Sequence, residues 1–209
     1  MRGKFIVIEG NEGAGKSSVV EYLKTYLPEG TVHFTREPGG TKMAEEIRTV
    51  LLASREETVY PETELMLFCA ARAQHVRNVI IPKLEAGIHV VSDRFAAGTF
   101  AYQVFGPERE DLLEYTRGLH AQTVGDLTPD LALLMRVPAE LGLQRNDHVA
   151  GKKNRMEEKG LEYHMRVAEG FRRIMPELYG SVVQEIDATM SLHEVKAEAL
   201  RLVREVVGV

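Results

Sequence analysis

The chain has 209 residues and 44% hydrophobic content, enough for one domain with a full core over residues 1–209. Its net charge of −5 argues against nonspecific nucleic-acid binding, and no apolar run reaches the ~20 residues of a membrane helix. The single cysteine, Cys69, cannot form an internal disulfide, and the N-terminus shows no signal-peptide pattern. We therefore expect a cytoplasmic protein that binds neither nucleic acid nor membrane. The scattered histidines have no zinc-ligand spacing.

Predicted strands and helices alternate along the chain. Apolar, β-branched runs indicate strands, and apolar residues at a spacing of three to four indicate helices. This alternation is typical of an α/β protein in which a parallel sheet has helices on both faces. The predicted strands cover residues 4–9, 32–35, 89–92, 131–135 and 182–186.

The predicted helices have recognisable signals at their ends. Pro61 suits the first turn of a long helix, Pro82 is expected to kink or interrupt it, and Gly87 to end it. Ser191 and Glu194 form the capping-box pattern of the last helix. A polar, aperiodic segment at about 145–158 is interpreted as a short mobile lid. The predicted helices cover 17–27, 42–52, 61–87, two stretches before 121, a segment from 138, 161–178 and a segment from 191.

The most specific motif is a glycine-rich loop between the first predicted strand and the first helix. Its pattern, G-x-x-x-x-G-K-[ST], surrounds phosphate oxygens with backbone N–H groups at the positive end of a helix. Lys16 would bridge the β- and γ-phosphates of a nucleoside triphosphate, and the Ser17 hydroxyl would bind Mg²⁺. ATPases, GTPases and small-molecule kinases share this loop, but the guanine-reading N-K-x-D tetrapeptide is absent from the sequence. The residues assigned to nucleotide binding are Gly10, Asn11, Glu12, Gly13, Ala14, Gly15, Lys16, Ser17 and Ser18.

Six further motifs follow the loop in a defined order. They are Arg36-Glu37-Pro38-Gly39-Gly40-Thr41, Leu67-Phe68-Cys69-Ala70-Ala71-Arg72, Asp93-Arg94-Phe95, Ala101-Tyr102-Gln103, Thr128-Pro129-Asp130-Leu131 and Asn154-Arg155-Met156-Glu157. Together with the loop they resemble the motifs of the thymidylate kinase family over residues 4 to about 175. The resemblance implies a three-layer P-loop NTPase fold with a five-stranded parallel sheet. It also implies phosphoryl transfer from ATP to dTMP, a Mg²⁺ requirement and a homodimer.

The same resemblance assigns the residues that would act on phosphate groups. Arg94 would grip the acceptor phosphate and the transferring group, with Lys16 as the catalytic cation on the donor side. Asp93 is expected near the metal, acting through water. Arg48 resembles a second acceptor-phosphate arginine, although its position alone would suit a solvated helix surface.

The resemblance also assigns the groups around the acceptor's base and sugar. Phe68 would stack on thymine; taken alone it would suit the core, but Arg72 one helical turn later favours a base pocket. Tyr102 would crowd the sugar 2′ position, and Glu12 would bind the 3′-hydroxyl, which explains an acidic residue in a phosphate loop. The Glu37–Pro38 bond resembles a turn that is often cis in the family. The remaining acceptor contacts implied by the resemblance are Arg36, Pro38 and Thr99.

The chain departs from the family pattern in the loop and the lid. Some members carry a basic residue within the loop, where this chain has Glu12 and Ala14, so the resemblance implies transition-state arginines from the lid. Arg145 and Arg155 are assigned to this catalytic role, although the segment between them holds two lysines and no further arginine. Gly98 stands where a serine is common.

Alternative functions remain open at this stage. A deoxynucleoside kinase needs a base to accept a proton from its substrate rather than two arginines for an acceptor phosphate, so Arg48 and Arg94 favour a monophosphate acceptor. A nucleoside monophosphate kinase of different specificity is a second alternative. The remote alternative is a nucleotide-binding module without catalysis, which would bind ATP but form no product with any monophosphate.

Overall fold

The computed structural model describes residues 1–147 and 155–209. In these two ranges, five strands form one sheet, and every neighbouring pair of strands is parallel. The strands are β1 (Phe5–Glu9), β2 (Val32–Arg36), β3 (His89–Asp93), β4 (Leu131–Arg136) and β5 (Val183–Asp187). Their order across the sheet is β2-β3-β1-β4-β5, so the strand that enters the glycine-rich loop lies at the centre.

Helices connect consecutive strands. The last one begins with the predicted capping box, in which Ser191 and Glu194 each bond the other's backbone N–H. No helix within the described residues has both the length and the apolar character needed to cross a bilayer. The helices are α1 (Lys16–Tyr26), α2 (Lys42–Leu52), α3 (Pro61–His75), α4 (Ile81–Glu85), α5 (Ala96–Phe100), α6 (Leu113–Val124), α7 (Ala139–Asp147), α8 (Leu161–Tyr179) and α9 (Leu192–Val207).

Two apolar cores lie on opposite faces of the sheet. Phe5 and Val7 of β1 pack with α4, α5 and α8, whereas Ile6 and Ile8 pack with α1 and α9. All of β1 is buried, as expected for a central parallel strand covered on both faces. Full burial of a side chain of this size contributes about 1.5–3 kcal/mol, so the cores hold the strand ends firmly in place. The predicted three-layer α/β fold is confirmed.

The long helix predicted over 61–87 is continuous, but its winding changes. Between α3 and α4 lies a π-helical turn, Val76–Ile80, and Pro82 falls in the first turn of α4. Proline lacks the N–H that would bond to the preceding turn. In the π turn before Pro82, the hydrogen bonds join residues five apart instead of four. The expected interruption at Pro82 therefore takes the form of a widened helical turn.

The first residues of the predicted lid are helical and do not form a loop. Arg145 lies inside α7, which continues to Asp147, so the loop interpretation was wrong for the first residues of the segment 145–158. The last residues of α7 are polar, so they continue the helix without an apolar period in the sequence, and helix ends are the least predictable part of an element. Residues 148–154, which include most of the predicted lid, lie outside the described part of the chain.

Candidate active site

The glycine-rich loop joins β1 to α1 at the carboxyl edge of the sheet. Gly10 (φ 143°) and Gly13 (φ 70°) adopt backbone angles that other residues rarely reach. A Cβ atom on Gly10 would lie 2.3 Å from the carbonyl oxygen of Met135, and one on Gly13 would lie 2.0 Å from that of Gly142. The loop is thus curled tightly against β4 and α7, at distances that only glycine allows.

Lys16, the first residue of α1, is folded back into the loop. Its Nζ donates to the carbonyl oxygens of Gly10 (3.0 Å) and Asn11 (2.9 Å), and its side chain is buried. Burial lowers the pKa of Lys16 to about 8, and the charge of Arg94 acts in the same direction. A buried ammonium group whose hydrogen bonds, within the described part of the chain, go to neutral carbonyls is well suited to bind an anion.

Arg94 follows β3 and spans from the loop to the opposite wall. Because β1 and β3 are parallel neighbours, it emerges beside Gly10. Its Nη1 donates to the Gly10 carbonyl at 2.9 Å. Its Nη2 donates to Glu12 Oε1 at 2.7 Å and to the Tyr102 hydroxyl at 3.2 Å. The backbone of Arg94 has a φ of 70°, which is uncommon for a residue with a side chain.

Glu12 is the anion of this cluster. The Tyr102 hydroxyl donates to Glu12 Oε1 at 2.9 Å, the same oxygen that accepts from Arg94. Burial would raise the pKa of Glu12, but Arg94 and Lys16 outweigh it and lower the pKa to about 2. The carboxylate is therefore ionised at neutral pH, and it leaves the pair of cations with a net charge of one.

Two side chains with oxygen atoms suitable as metal ligands, Ser17 and Asp93, lie beside the loop. The Ser17 hydroxyl donates to Asp93 Oδ2 at 3.3 Å. In residues 1–147 and 155–209, no group of three or more His, Cys, Asp or Glu side chains could hold a metal by itself. Mg²⁺ prefers oxygen ligands and commonly takes only one or two from protein, completing its shell with water and phosphate. This pair fits Mg²⁺ and would suit zinc poorly.

Arg72 is buried on α3 among groups from two other segments. Its Nε donates to Glu37 Oε2 at 2.7 Å, and its Nη2 donates to Thr99 Oγ1 (2.8 Å) and the Phe95 carbonyl (3.0 Å). His75 Nδ1 lies 3.0 Å from the other oxygen of Glu37. Burial would raise the pKa of Glu37, but Arg72 and His75 outweigh it and lower it. The network fixes Arg72 and Thr99 in the cavity wall.

Two more arginines reach the cavity from either side of the turn after β2, Arg36 at the end of the strand and Arg48 on α2. The Glu37–Pro38 bond is cis, as the resemblance implied. Arg48 Nη1 donates to the Pro38 carbonyl at 2.9 Å, and Arg36 pairs with Glu45 at 2.9 Å. Burial and the charge of Arg36 lower the pKa of Arg48, which reflects two cations close together. A site with this excess of positive charge would attract a phosphate.

A cavity of about 690 Å³ connects these groups. Gly10, Asn11 and Arg155 are the predicted site residues that do not line it, and Gly10 instead offers its carbonyl to Lys16 and Arg94. A volume of this size is within the usual range for a small-molecule site. The predicted residues that line the cavity are Glu12, Gly13, Ala14, Gly15, Lys16, Ser17, Ser18, Arg36, Pro38, Arg48, Phe68, Arg72, Asp93, Arg94, Thr99, Tyr102 and Arg145.

The two arginines assigned to the lid are both held by other contacts. Arg145 Nη1 donates at 2.7 Å to the carbonyl of Ala188, in the loop between β5 and α9. Arg155 forms an ion pair with Glu64 of α3, and its Nη2 donates to the Leu51 carbonyl at 3.0 Å. The catalytic role of both arginines stays a prediction.

Comparison with known proteins identifies the family. The family model described as thymidylate kinase matches residues 8–199. The chain is 41% identical over 201 residues to a thymidylate kinase of Francisella tularensis subsp. holarctica, covering 95% of this chain and 94% of that protein. It is 39% identical over 209 residues to that of Halalkalibacterium halodurans, covering 98% and 97%. The chain belongs to the thymidylate kinase family.

Membership in the thymidylate kinase family defines the reaction that the enzyme catalyses. The enzyme is an ATP-dependent kinase that phosphorylates dTMP to dTDP. A cavity with a phosphate loop at one end and buried arginines at the other agrees with two anionic substrates. Arg94 joins the two ends, because it contacts Gly10 and Glu12 of the loop and the Tyr102 hydroxyl on the other wall.

Several buried groups of the site were missed in the sequence. Glu37 was noted only as part of a turn, although it holds Arg72. His75 stands three residues after Arg72, a spacing that places both on one helix face and was a usable signal. Glu9 was taken as the end of an apolar strand, and a charged residue at such a position was a second signal. Glu64, the partner of Arg155, had no local pattern to reveal it.

Proposed function

We propose that the phosphoryl group passes from ATP on the glycine-rich loop to dTMP bound against α2, α3 and α5. The observation that carries this proposal is the position of Arg94, whose guanidinium contacts Gly10 and Glu12 of the loop on one side and Tyr102 on the other. A cation there would offset the repulsion between the two substrates and the charge that develops during transfer. Lys16 would act on the β- and γ-phosphates from within the loop.

The donor side is proposed to use the loop residues and Mg²⁺. Residues 10–18 would bind the phosphates, largely through backbone N–H groups. Ser17 and Asp93 would hold Mg²⁺, Asp93 through water, and the oxygen-only character of this pair supports that assignment. When bound, Mg²⁺ would neutralise phosphate charge. The apolar side chains of Met190 and Leu192, beside Ala188 in the cavity, would suit the faces of a purine.

The acceptor phosphate is proposed to bind Arg94 and Arg48, with Arg36 nearby. Arg48 is supported by the Pro38 carbonyl, and both Arg36 and Arg48 line the cavity. Each guanidinium can form two parallel hydrogen bonds to phosphate oxygens, which a lysine cannot. The turn at Pro38 would therefore hold Arg36 and Arg48 in position for the phosphate.

The base and sugar of dTMP are proposed to lie between α3 and α5. Phe68 is only partly buried and lines the cavity, which favours stacking on a base over a core position. Arg72 and Thr99, bonded to each other at 2.8 Å, would face the polar edge of the base. Tyr102 and Glu12 would contact the sugar and discriminate deoxyribose from ribose.

The remaining assignments concern the two lid arginines, the oligomeric state and the location. Arg145 and Arg155 are kept as proposed catalytic residues, although each is bonded to another part of the chain. A homodimer is proposed because Met43, Val50 and Met66, on α2 and α3, expose about half of their surface. The cytoplasmic location also stays a prediction, which the single unpaired cysteine supports.

The proposal is tested by the variant Arg94→Ala. We expect kcat to fall by about 100-fold or more, because one preorganised cation in a phosphoryl-transfer site is removed. The Kd for ATP should change by less than about threefold, since Lys16 and the loop remain. Steady-state kinetics and calorimetric titration with ATP measure both. The matched control is Arg172→Ala on the surface of α8, which should behave as wild type. Near-normal turnover of Arg94→Ala would remove Arg94 from the proposed role.

A further inference from the structure

Glu9 is a buried carboxylate to which the proposed mechanism gives no role. It ends β1, directly before the glycine-rich loop, and it has no exposed surface. Its Oε1 accepts the backbone N–H groups of Phe95 (2.9 Å) and Gly98 (3.3 Å). Its Oε2 has no hydrogen-bond partner among the described residues. A buried ionisable group that is only half satisfied is costly, so its presence at this position calls for an explanation.

Ile8 and Glu9 together enclose the backbone of Arg94. The Arg94 N–H donates to the Ile8 carbonyl at 2.9 Å, and the next N–H along the chain donates to the Glu9 carboxylate. The carbonyl of Phe95 is held from the other side by Arg72, at 3.0 Å. Both peptide units that flank Phe95 are therefore fixed. This matters because Arg94 has a φ of 70°, a conformation that a residue with a side chain leaves readily when it is not held.

We propose that Glu9 is a positioning residue for Arg94. By binding the N–H of Phe95, the carboxylate keeps Arg94 in the left-handed conformation from which its guanidinium reaches both Gly10 and Glu12. Loss of this acceptor would let the backbone relax and would move the guanidinium away from the boundary between donor and acceptor. This inference rests on the proposed role of Arg94.

The unpartnered oxygen of Glu9 lies next to Gly98, which has no side chain to offer a hydrogen bond. A Cβ atom built on Gly98 would lie 3.6 Å from Glu9 Oε2, in ordinary contact, and beyond its chain neighbours and its own helix it would meet no other atom of residues 1–147 and 155–209 within 4 Å. A serine at this position would bring a hydroxyl within reach of Oε2, whereas an alanine would fill the same space without a donor. Comparing the two substitutions at Gly98 therefore tests whether Oε2 lacks a hydrogen-bond partner and points toward Gly98.

The kinetic test compares Glu9→Ala, Glu9→Gln and Arg94→Ala with ATP and dTMP, well below their unfolding temperatures. Glu9→Ala should lower kcat by at least about 30-fold while the KM for ATP changes less than about threefold. Glu9→Gln keeps a carbonyl oxygen for the two N–H groups and should stay within about fivefold of wild-type kcat. Leu84→Ala, a core change on α4, is the control: it should lower the Tm and leave kcat unchanged.

Two kinetic outcomes would overturn the proposal. One is a wild-type kcat in Glu9→Ala; the other is equal loss of kcat in Glu9→Gln and Glu9→Ala, because the acceptor oxygen would then not matter. Normal turnover of Arg94→Ala would instead refute the proposed role of Arg94, so the two failures can be told apart.

Thermal unfolding of the Gly98 variants decides the geometry even if Glu9→Ala does not fold. The Tm of Gly98→Ser should exceed that of Gly98→Ala by about 3 °C or more, because a buried oxygen without a partner gains a hydrogen bond. Helix propensity alone would give the opposite order. An equal or lower Tm for Gly98→Ser would overturn the proposal.

Discussion

At the scale of single residues, the site is a balance of buried charges. Lys16 and Arg94 are cations that contact the same loop, and Glu12 offsets one of them. This arrangement leaves the loop positive enough to attract phosphate but avoids two unpaired cations side by side. The lowered pKa of Lys16 is the measurable consequence of its burial and of its neighbour Arg94.

The charge of Lys16 should make ATP binding dependent on pH. Burial, assisted by Arg94, lowers its pKa to about 8, so the ammonium form that binds phosphate predominates below pH 8 and is lost above it. The affinity of the free enzyme for ATP should therefore fall as the pH rises from 7 to 9. Calorimetric titration at constant ionic strength measures this.

Glu12→Gln provides the comparison for this pH dependence. It removes a carboxylate that raises the Lys16 pKa, so the midpoint should move to lower pH. An affinity for ATP that is constant between pH 7 and 9 in the wild type would contradict this account of Lys16.

Residues within one short motif were predictable from the sequence, and residues paired across the chain were not. Lys16 and Ser17 belong to a pattern of eight positions whose physics is local. The bond from Arg72 to Glu37 joins residues 35 positions apart, and that from Phe95 to Glu9 joins residues 86 apart. No spacing rule connects such pairs, because the fold alone brings them together.

At the scale of elements, α3 forms one wall of the acceptor side and also holds the chain beyond the undescribed segment. Glu64 of α3 pairs with Arg155 and accepts from Gln103 at 3.0 Å. Arg155 also donates to the last turn of α2 through the Leu51 carbonyl. These contacts tie three elements around Arg155 and give it a supporting role beside the proposed catalytic one.

The variants Arg155→Met and Glu64→Gln separate support from catalysis. Breaking a largely buried ion pair should lower the free energy of unfolding by about 3 kcal/mol in either single variant. The double variant should be less destabilised than the sum of the two single variants, because both single variants lose the same ion pair. Urea unfolding measures these values. Unchanged stability of Arg155→Met, together with a large loss of kcat, would contradict the supporting role and favour the catalytic one.

Element types were predictable, but their ends and winding were not. The helix after Pro61 and the capping box at Ser191 follow from local rules. The π turn at Val76–Ile80 and the extension of α7 past Arg145 depend on packing and on polar residues at a helix end, for which the sequence carries no periodic signal.

At the scale of the whole molecule, the strand order creates the site. With β1 between β3 and β4, the glycine-rich loop lies next to the end of β3 on one side and of β4 on the other. The alternation of strands and helices predicted the parallel sheet and its helical cover. It did not give the strand order, which depends on how distant helices pack on each face.

The proposed homodimer is tested by charging its expected surface. Val50→Glu and Met66→Glu, on α2 and α3, should convert a dimer to a monomer, because each places a charge in an apolar interface. Light scattering after gel filtration measures the mass. Met165→Glu, at an equally exposed position on α8, is the control and should remain dimeric. A monomeric wild-type protein would contradict the proposal.

The central claim is that this cavity joins ATP to an acceptor that already carries a phosphate. The most direct test is a coupled assay of ADP formation with ATP and Mg²⁺, run with thymidine and with each nucleoside monophosphate in turn. We expect the highest kcat/KM for dTMP and no turnover of thymidine, because Arg94 and Arg48 need an acceptor phosphate to bind. Phosphorylation of thymidine, or preference for another monophosphate, would contradict it.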